Sequence, residues 1–229
     1  MIKCIALKHS GNDRHQNLID KEKTALVTRA VADLALASYA GALIYPALFF
    51  TIIYATGYQA MHPTFTIVCL CVMVMACVGR LLLAVDHNNI ETGVWVRWFS
   101  LLTLVMVSTW SSFWAFAIYT DGLNQTTLIS IAASVGIASA GIGTLAPLLK
   151  LSYAVMFVLM WPSGLVLSIQ PDGVGAAYAV MLLIGSFFLS FVNIRLHKQY
   201  WDTRKNEALL EERAVQLADA TSAKSEFLA

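Results

Sequence analysis

Charge is what this chain has least of. Asp, Glu, Lys and Arg make up 13% of its 229 residues, 58% are hydrophobic, and the mean hydropathy is +0.67. Soluble domains carry about 25% charged residues. The apolar runs therefore exceed what a soluble core of this size can hide, and the bilayer is the expected solvent. The first two dozen residues are polar and lack an early apolar core with a cleavage site, so no removable signal peptide is expected.

Cysteine is scarce too. Of Cys4, Cys69, Cys71 and Cys77, three share one apolar run and read as small, soft packing residues. Cys69 and Cys71 point in different directions on a helix, which argues against paired ligands. His62 and His87 fall in loops on opposite sides, while His9, His15 and His197 lie outside the apolar spans. No metal set is expected. The net charge of +1 gives no basis for a nucleic-acid partner, and none is expected.

What is there is apolar length. Crossing the hydrocarbon takes about 20 mostly apolar residues, and the chain offers six such runs, near 34–56, 63–84, 98–119, 125–145, 147–168 and 174–195. The first starts earlier, near Thr24, and contains Arg29 and Asp33 one turn apart, a spacing that predicts a structural ion pair at the membrane surface. Pro46 and Pro162 fall within spans and are expected to kink them.

Basic residues test this map independently. Lys3, Lys8, Arg14, Lys21, Lys23 and Arg29 precede the first span. Arg80 and Arg97 edge the second connection, Lys150 follows the fourth, and Arg195, Lys198, Arg204 and Lys205 follow span six. The connections at 57–62, 120–125 and 168–173 contain no Lys or Arg. This alternation predicts an even number of spans with both termini cytoplasmic. The outer loops are too short for an extracellular sensing domain. Any signal must enter the bundle, sit among its helices, or be a property of the membrane.

After span six the composition changes. Residues 197–229 are charged, rich in Ala, Glu, Leu, Lys and Arg, and free of Gly and Pro, which favours one continuous helix. A seam in steps of four and three runs Leu196, Tyr200, Thr203, Glu207, Leu210, Ala214, Leu217, Thr221, Lys224 and Leu228. That is coiled-coil spacing with several polar positions, so a weak dimer is expected, with a solvated helical tail as the alternative. The fold class is thus an all-α membrane protein: a six-span helix bundle, N-in and C-in, followed by a cytoplasmic coiled-coil signalling helix. Its parts are a cytoplasmic segment (1–23), the transmembrane domain (24–196) and the signalling helix (197–229).

The stretch from Glu211 to Ala229, ending Ala223-Lys224-Ser225-Glu226-Phe227-Leu228-Ala229, closely resembles the linker before the phospho-acceptor helix of hybrid sensor histidine kinases. In that family AKSEFLA is typically followed by Asn-Met-Ser-His-Glu, whose His is phosphorylated. The resemblance covers about 20 of the 229 residues. It implies a parent protein-histidine kinase using ATP and Mg in a domain beyond Ala229, a homodimer formed through the C-terminal helix, a downstream response regulator, and residence in a bacterial inner membrane. Acceptor His, ATP-binding motif and receiver Asp are absent from these residues, so no catalytic residue and no cofactor is assigned to them. In architecture the membrane part is similar to the multispan input regions of kinases that sense small lipophilic signals in bacterial quorum sensing, such as diffusible fatty acids and α-hydroxyketones.

A site for such a signal is expected in the outward halves of the spans. Phe50 and Tyr54 in span one, Trp110, Ser111, Phe113 and Trp114 in span three, Trp161 in span five and Tyr178 in span six supply aromatic walls and hydroxyls. A small amphiphile needs both. Tyr58 and Tyr119 read as interfacial anchors. Trp110 and Trp114, one turn apart and deeper than a belt requires, either line the pocket or are anchors as well. Ala132, Gly136 and Ala140 form a small-residue stripe read as close packing within the bundle, with an interface between protomers as the alternative, and Arg80 is expected to snorkel to the headgroups. The leading expectation is a ligand-binding sensor that signals through span six. A small transporter or channel, or an input module for a cyclic-dinucleotide enzyme, are the alternatives.

Overall fold

The computed structural model describes residues 2–170 and 173–228, with side chains from residue 25 onward apart from 171, 172, 224, 226, 228 and 229. The side chains of Lys3, Cys4, Lys8, His9, Arg14, His15, Lys21 and Lys23, and of the seam positions Lys224 and Leu228, lie outside the described residues. The described chain is helical without strands: α1 (Ile2–Thr56), α2 (Tyr58–Met61), α3 (Pro63–Val85), α4 (Thr92–Asp121), α5 (Gln125–Thr144), α6 (Leu149–Ser168) and α7 (Gly173–Leu228). Six of these are long and apolar enough to cross a membrane. The protein is a multi-pass, all-α membrane protein.

Local chemistry sets the boundaries. Gly57 and Gly122 take positive φ, 68° and 66°, where a Cβ would be strained, and so separate α1 from α2 and end α4. Pro63 opens α3 at the position where a missing N–H costs nothing. Asn124 caps α5 in a reciprocal box with Thr127. α4 begins at Thr92, earlier than the apolar run suggests. The reason is Trp95, fully buried, whose indole N–H donates to the Leu83 carbonyl at 2.8 Å and ties the first turn of α4 to the last of α3. Helices α1 and α6 contain Pro46 and Pro162 without ending at either.

The chain divides into two compact units, one of Met1–Ala30 with Lys198–Ala229, the other Val31–His197. In the first, Arg29 donates to Glu211 at 2.7 Å and Arg204 to Glu207 at 2.6 Å. Both pairs are solvent-exposed and worth little individually. Arg29 thus has Glu211 as a carboxylate partner.

In the second unit α4 is central, packing against α3 and α6, and α5 packs on α6. Gly79 permits the α3–α4 approach, since a Cβ there would stand 3.3 Å from Leu102. The outer faces carry large apolar side chains such as Met75, Ile184 and Phe187, each about two-thirds exposed or more, as a lipid-facing surface requires. Inside, Thr103, Ser134 and Ser186 are buried, and each donates its hydroxyl to the carbonyl one turn back. This satisfies the polar atom without a partner on another helix.

Candidate functional site

The aromatic residues predicted on span three belong to a closed core. Trp110, Phe113 and Trp114 on α4 are buried, and their rings meet edge to face, Trp110–Trp114 at 5.3 Å and Phe113–Trp114 at 4.6 Å. Phe49 adds a ring 4.5 Å from Phe113. The Trp110 indole donates to Ser134 at 2.9 Å, and Ser111 to the Leu159 carbonyl at 3.5 Å. These groups join α1, α4, α5 and α6.

The other predicted residues stand apart from that core. Phe50 and Tyr54 stack on each other at 6.0 Å on an exposed face of α1. Tyr178 is partly buried against Ile118, Leu167, Ala179 and Leu182. Trp161, half-exposed, lines a cavity of about 250 Å³ between α6 and α7. The eight residues therefore occupy four separate environments.

A cavity of about 450 Å³ lies elsewhere, toward the end of the bundle that carries the α3–α4 connection. Its walls are the α1 face from Leu34 to Leu48 and the α5 face from Ala133 to Leu145; Arg80 of α3 and Phe99 and Thr103 of α4 complete it. The fourteen helical rises from Leu34 to Leu48 on α1 make the slot roughly 21 Å long. Ala40, Ile44, Gly136 and Ala140 are exposed along its edge, so it opens sideways between α1 and α5. The lining is mostly apolar, with Ser38, Tyr45, Arg80, Thr103 and Thr144 as its polar members.

Arg80 is 5% exposed. Its Cζ stands 4.9 Å over the Phe99 ring, and Nη1 lies 4.0 Å from the Met106 sulfur. Nη2 passes close to Gly41, 3.7 Å from where a Cβ would be, which is ordinary van der Waals distance. Nε has no hydrogen-bond partner, nor has the buried Ser38 hydroxyl on the same cavity. Among the described residues no carboxylate pairs with Arg80. A guanidinium in an apolar interior is strongly unfavourable without a counter-charge. The Phe99 face offsets only part of that.

Arg80 does not snorkel, and the reason is its phase on α3. Met73, Ala76, Cys77, Arg80 and Ala84 form the buried face, whereas Met75, Val78 and Leu82 face outward. Small residues around an arginine and large ones on the opposite face were the available sequence signal. The small-residue stripe on α5 also acts differently from the expected close packing. A Cβ on Gly136 would meet nothing within 4 Å, and Gly136 and Ala140 wall the cavity. Their smallness leaves space.

Comparison with known proteins returned no matching protein-family model, no matching curated protein and no matching solved structure.

Proposed function

We propose that the chain is the membrane-embedded input module of a sensor histidine kinase, with both termini cytoplasmic. It binds a small lipophilic or amphiphilic signal inside the bundle and relays it through α7. The observation that carries the reading is α7 itself, one helix from Gly173 to Leu228. Its first half belongs to the apolar bundle and its last residues resemble the kinase linker. A ligand that alters how α7 sits in the bundle has an uninterrupted lever to the output.

The seat of α7 on α6 suits a movable element. Its polar contacts are soft: the Ser186 and Ser190 hydroxyls, which donate to carbonyls of their own helix, stand 3.2 Å from the Met160 sulfur and 3.9 Å from the Met156 sulfur, and the Tyr153 hydroxyl donates to the Ser190 carbonyl at 3.4 Å. Methionine accommodates shifts that branched side chains resist. Asn193 is fully buried on α7 with neither amide atom hydrogen-bonded, which weakens that seat further. Beyond it, the exposed Leu210 and Leu217 are the apolar seam of a weak homodimer whose two arrangements lie close in energy. The attached kinase then uses ATP and Mg and phosphorylates a response regulator. A transport reading finds little support, because Arg80 is the one charged side chain buried among the described residues.

The test is a fusion of a histidine-kinase catalytic region after Ala229, reconstituted in liposomes and assayed for autophosphorylation. The proposal expects a lipophilic signal to change the rate, and Gly-Gly insertion after His197 to abolish the change while basal activity persists. A rate that no lipophilic compound alters contradicts it.

A further inference from the structure

We infer that the α1–α5 cavity is a binding site for an anionic amphiphile whose negatively charged head, a carboxylate or a phosphate, pairs with Arg80 while its alkyl tail lies along the slot. The inference deepens the sensor reading and rests on it only for the role of the ligand, because binding itself is measurable without any output.

Four observations converge. The cavity, about 450 Å³, falls within the range of small-molecule sites. Its one cation, Arg80, is 95% buried, has an unpartnered Nε, and is joined on the same wall by the orphaned Ser38 hydroxyl. A head group supplies both the missing charge and the missing hydrogen-bond partner. The remaining lining, from Leu34 and Leu48 on α1 to Ile137 on α5, is mostly apolar and elongated, which matches a chain rather than a compact polar solute. Finally, the sideways opening between α1 and α5 gives entry from the bilayer, where an amphiphile is already concentrated.

Selectivity follows from the same chemistry. A neutral alcohol of equal chain length fills the slot but leaves Arg80 without a counter-ion. Loss of a charge-assisted hydrogen-bonded pair weakens binding by at least about tenfold. The site also touches the aromatic core, since Tyr45 lines the cavity and its ring lies 6.1 Å from that of Trp110.

The test uses the full chain in phosphatidylcholine nanodiscs, with binding of labelled dodecanoate, dodecanol and phosphatidylglycerol measured separately. The expected result is saturable binding of an anionic amphiphile, at least about tenfold tighter than dodecanol. Dodecanoate binding identifies a free carboxylate as the source, and retention of phosphatidylglycerol alone identifies a lipid headgroup. Arg80→Gln removes the binding, Arg80→Lys largely keeps it, and Ala140→Leu blocks it with Arg80 in place. Helicity by circular dichroism confirms that each variant is folded. Equal affinity for dodecanol, wild-type binding by folded R80Q, or no anionic amphiphile bound by the folded wild-type chain would overturn the inference. Binding without any effect on the kinase fusion leaves the site standing and removes the sensor reading; a fusion response indifferent to R80Q does the reverse.

Discussion

The guanidinium of Arg80 lies 4.9 Å over the ring of Phe99, so the buried cation of this bundle rests on an aromatic face in place of a carboxylate. This arrangement is costly in the empty state. Replacing a buried charge with an apolar residue of similar volume stabilises by about 1–4 kcal/mol where compensation is poor. Arg80→Met is therefore expected to raise the thermal midpoint of the ligand-free protein in zwitterionic lipid. Tryptophan emission during a heating ramp checks this, and a lowered midpoint would mean that Arg80 holds the bundle together.

The aromatic core predicts the opposite balance. Trp110→Ala removes a fully buried ring that touches Tyr45, Phe49 and Trp114, and is expected to cost about 3–5 kcal/mol. Trp110→Phe keeps most of the packing and loses only the bond to Ser134, for about 1 kcal/mol. Denaturant titration in mixed micelles separates the two. Amphiphile affinity in the Phe variant should stay near wild type, because the cavity wall is Tyr45 and not Trp110.

Asn193 gives a prediction about coupling. Its buried amide lacks partners among the described residues, a state that costs about 1–3 kcal/mol. Asn193→Leu should stabilise the bundle by a similar amount and flatten the response of the kinase fusion, because α7 is then held more firmly. Thermal midpoint and signal-dependent phosphorylation, measured on the same protein, check the two halves. A stabilised variant with an undiminished response would show that α7 does not move at this position.

Topology has its own test. In a cysteine-free background, single cysteines at Asn89, in the α3–α4 connection, and at Thr120, exposed in the last turn of α4, lie at opposite ends of the bundle. With both termini cytoplasmic, an impermeant maleimide added outside intact cells labels the Thr120 position and spares Asn89. The reverse pattern refutes the orientation.

Much of the architecture was legible in the sequence because lipid imposes a simple rule. Runs near 63–84, 125–145 and 147–168 reappear as α3, α5 and α6 with ends shifted by at most a few residues. The start of α4 was harder to read, since it depends on Trp95 reaching Leu83 on another helix. The site residues were less legible for a related reason. Aromatic content marks Trp110 and Trp114, but their inward phase toward Phe49 and Phe113 comes from tertiary packing. Arg80 was visible yet read by depth alone. What decides its environment is helix phase, together with the open space beside Gly136, and a span map carries neither.

The most direct measurement is photo-crosslinking with a diazirine-bearing dodecanoate in phosphatidylcholine nanodiscs, mapped by peptide mass spectrometry. The account predicts adducts on α1 within 37–48 and on α5 within 133–145, competed by unlabelled anionic amphiphile and lost in Arg80→Gln. Adducts concentrated around Trp110 and Trp114 or in the α6–α7 cavity, or α1 and α5 adducts that persist in R80Q, would contradict it.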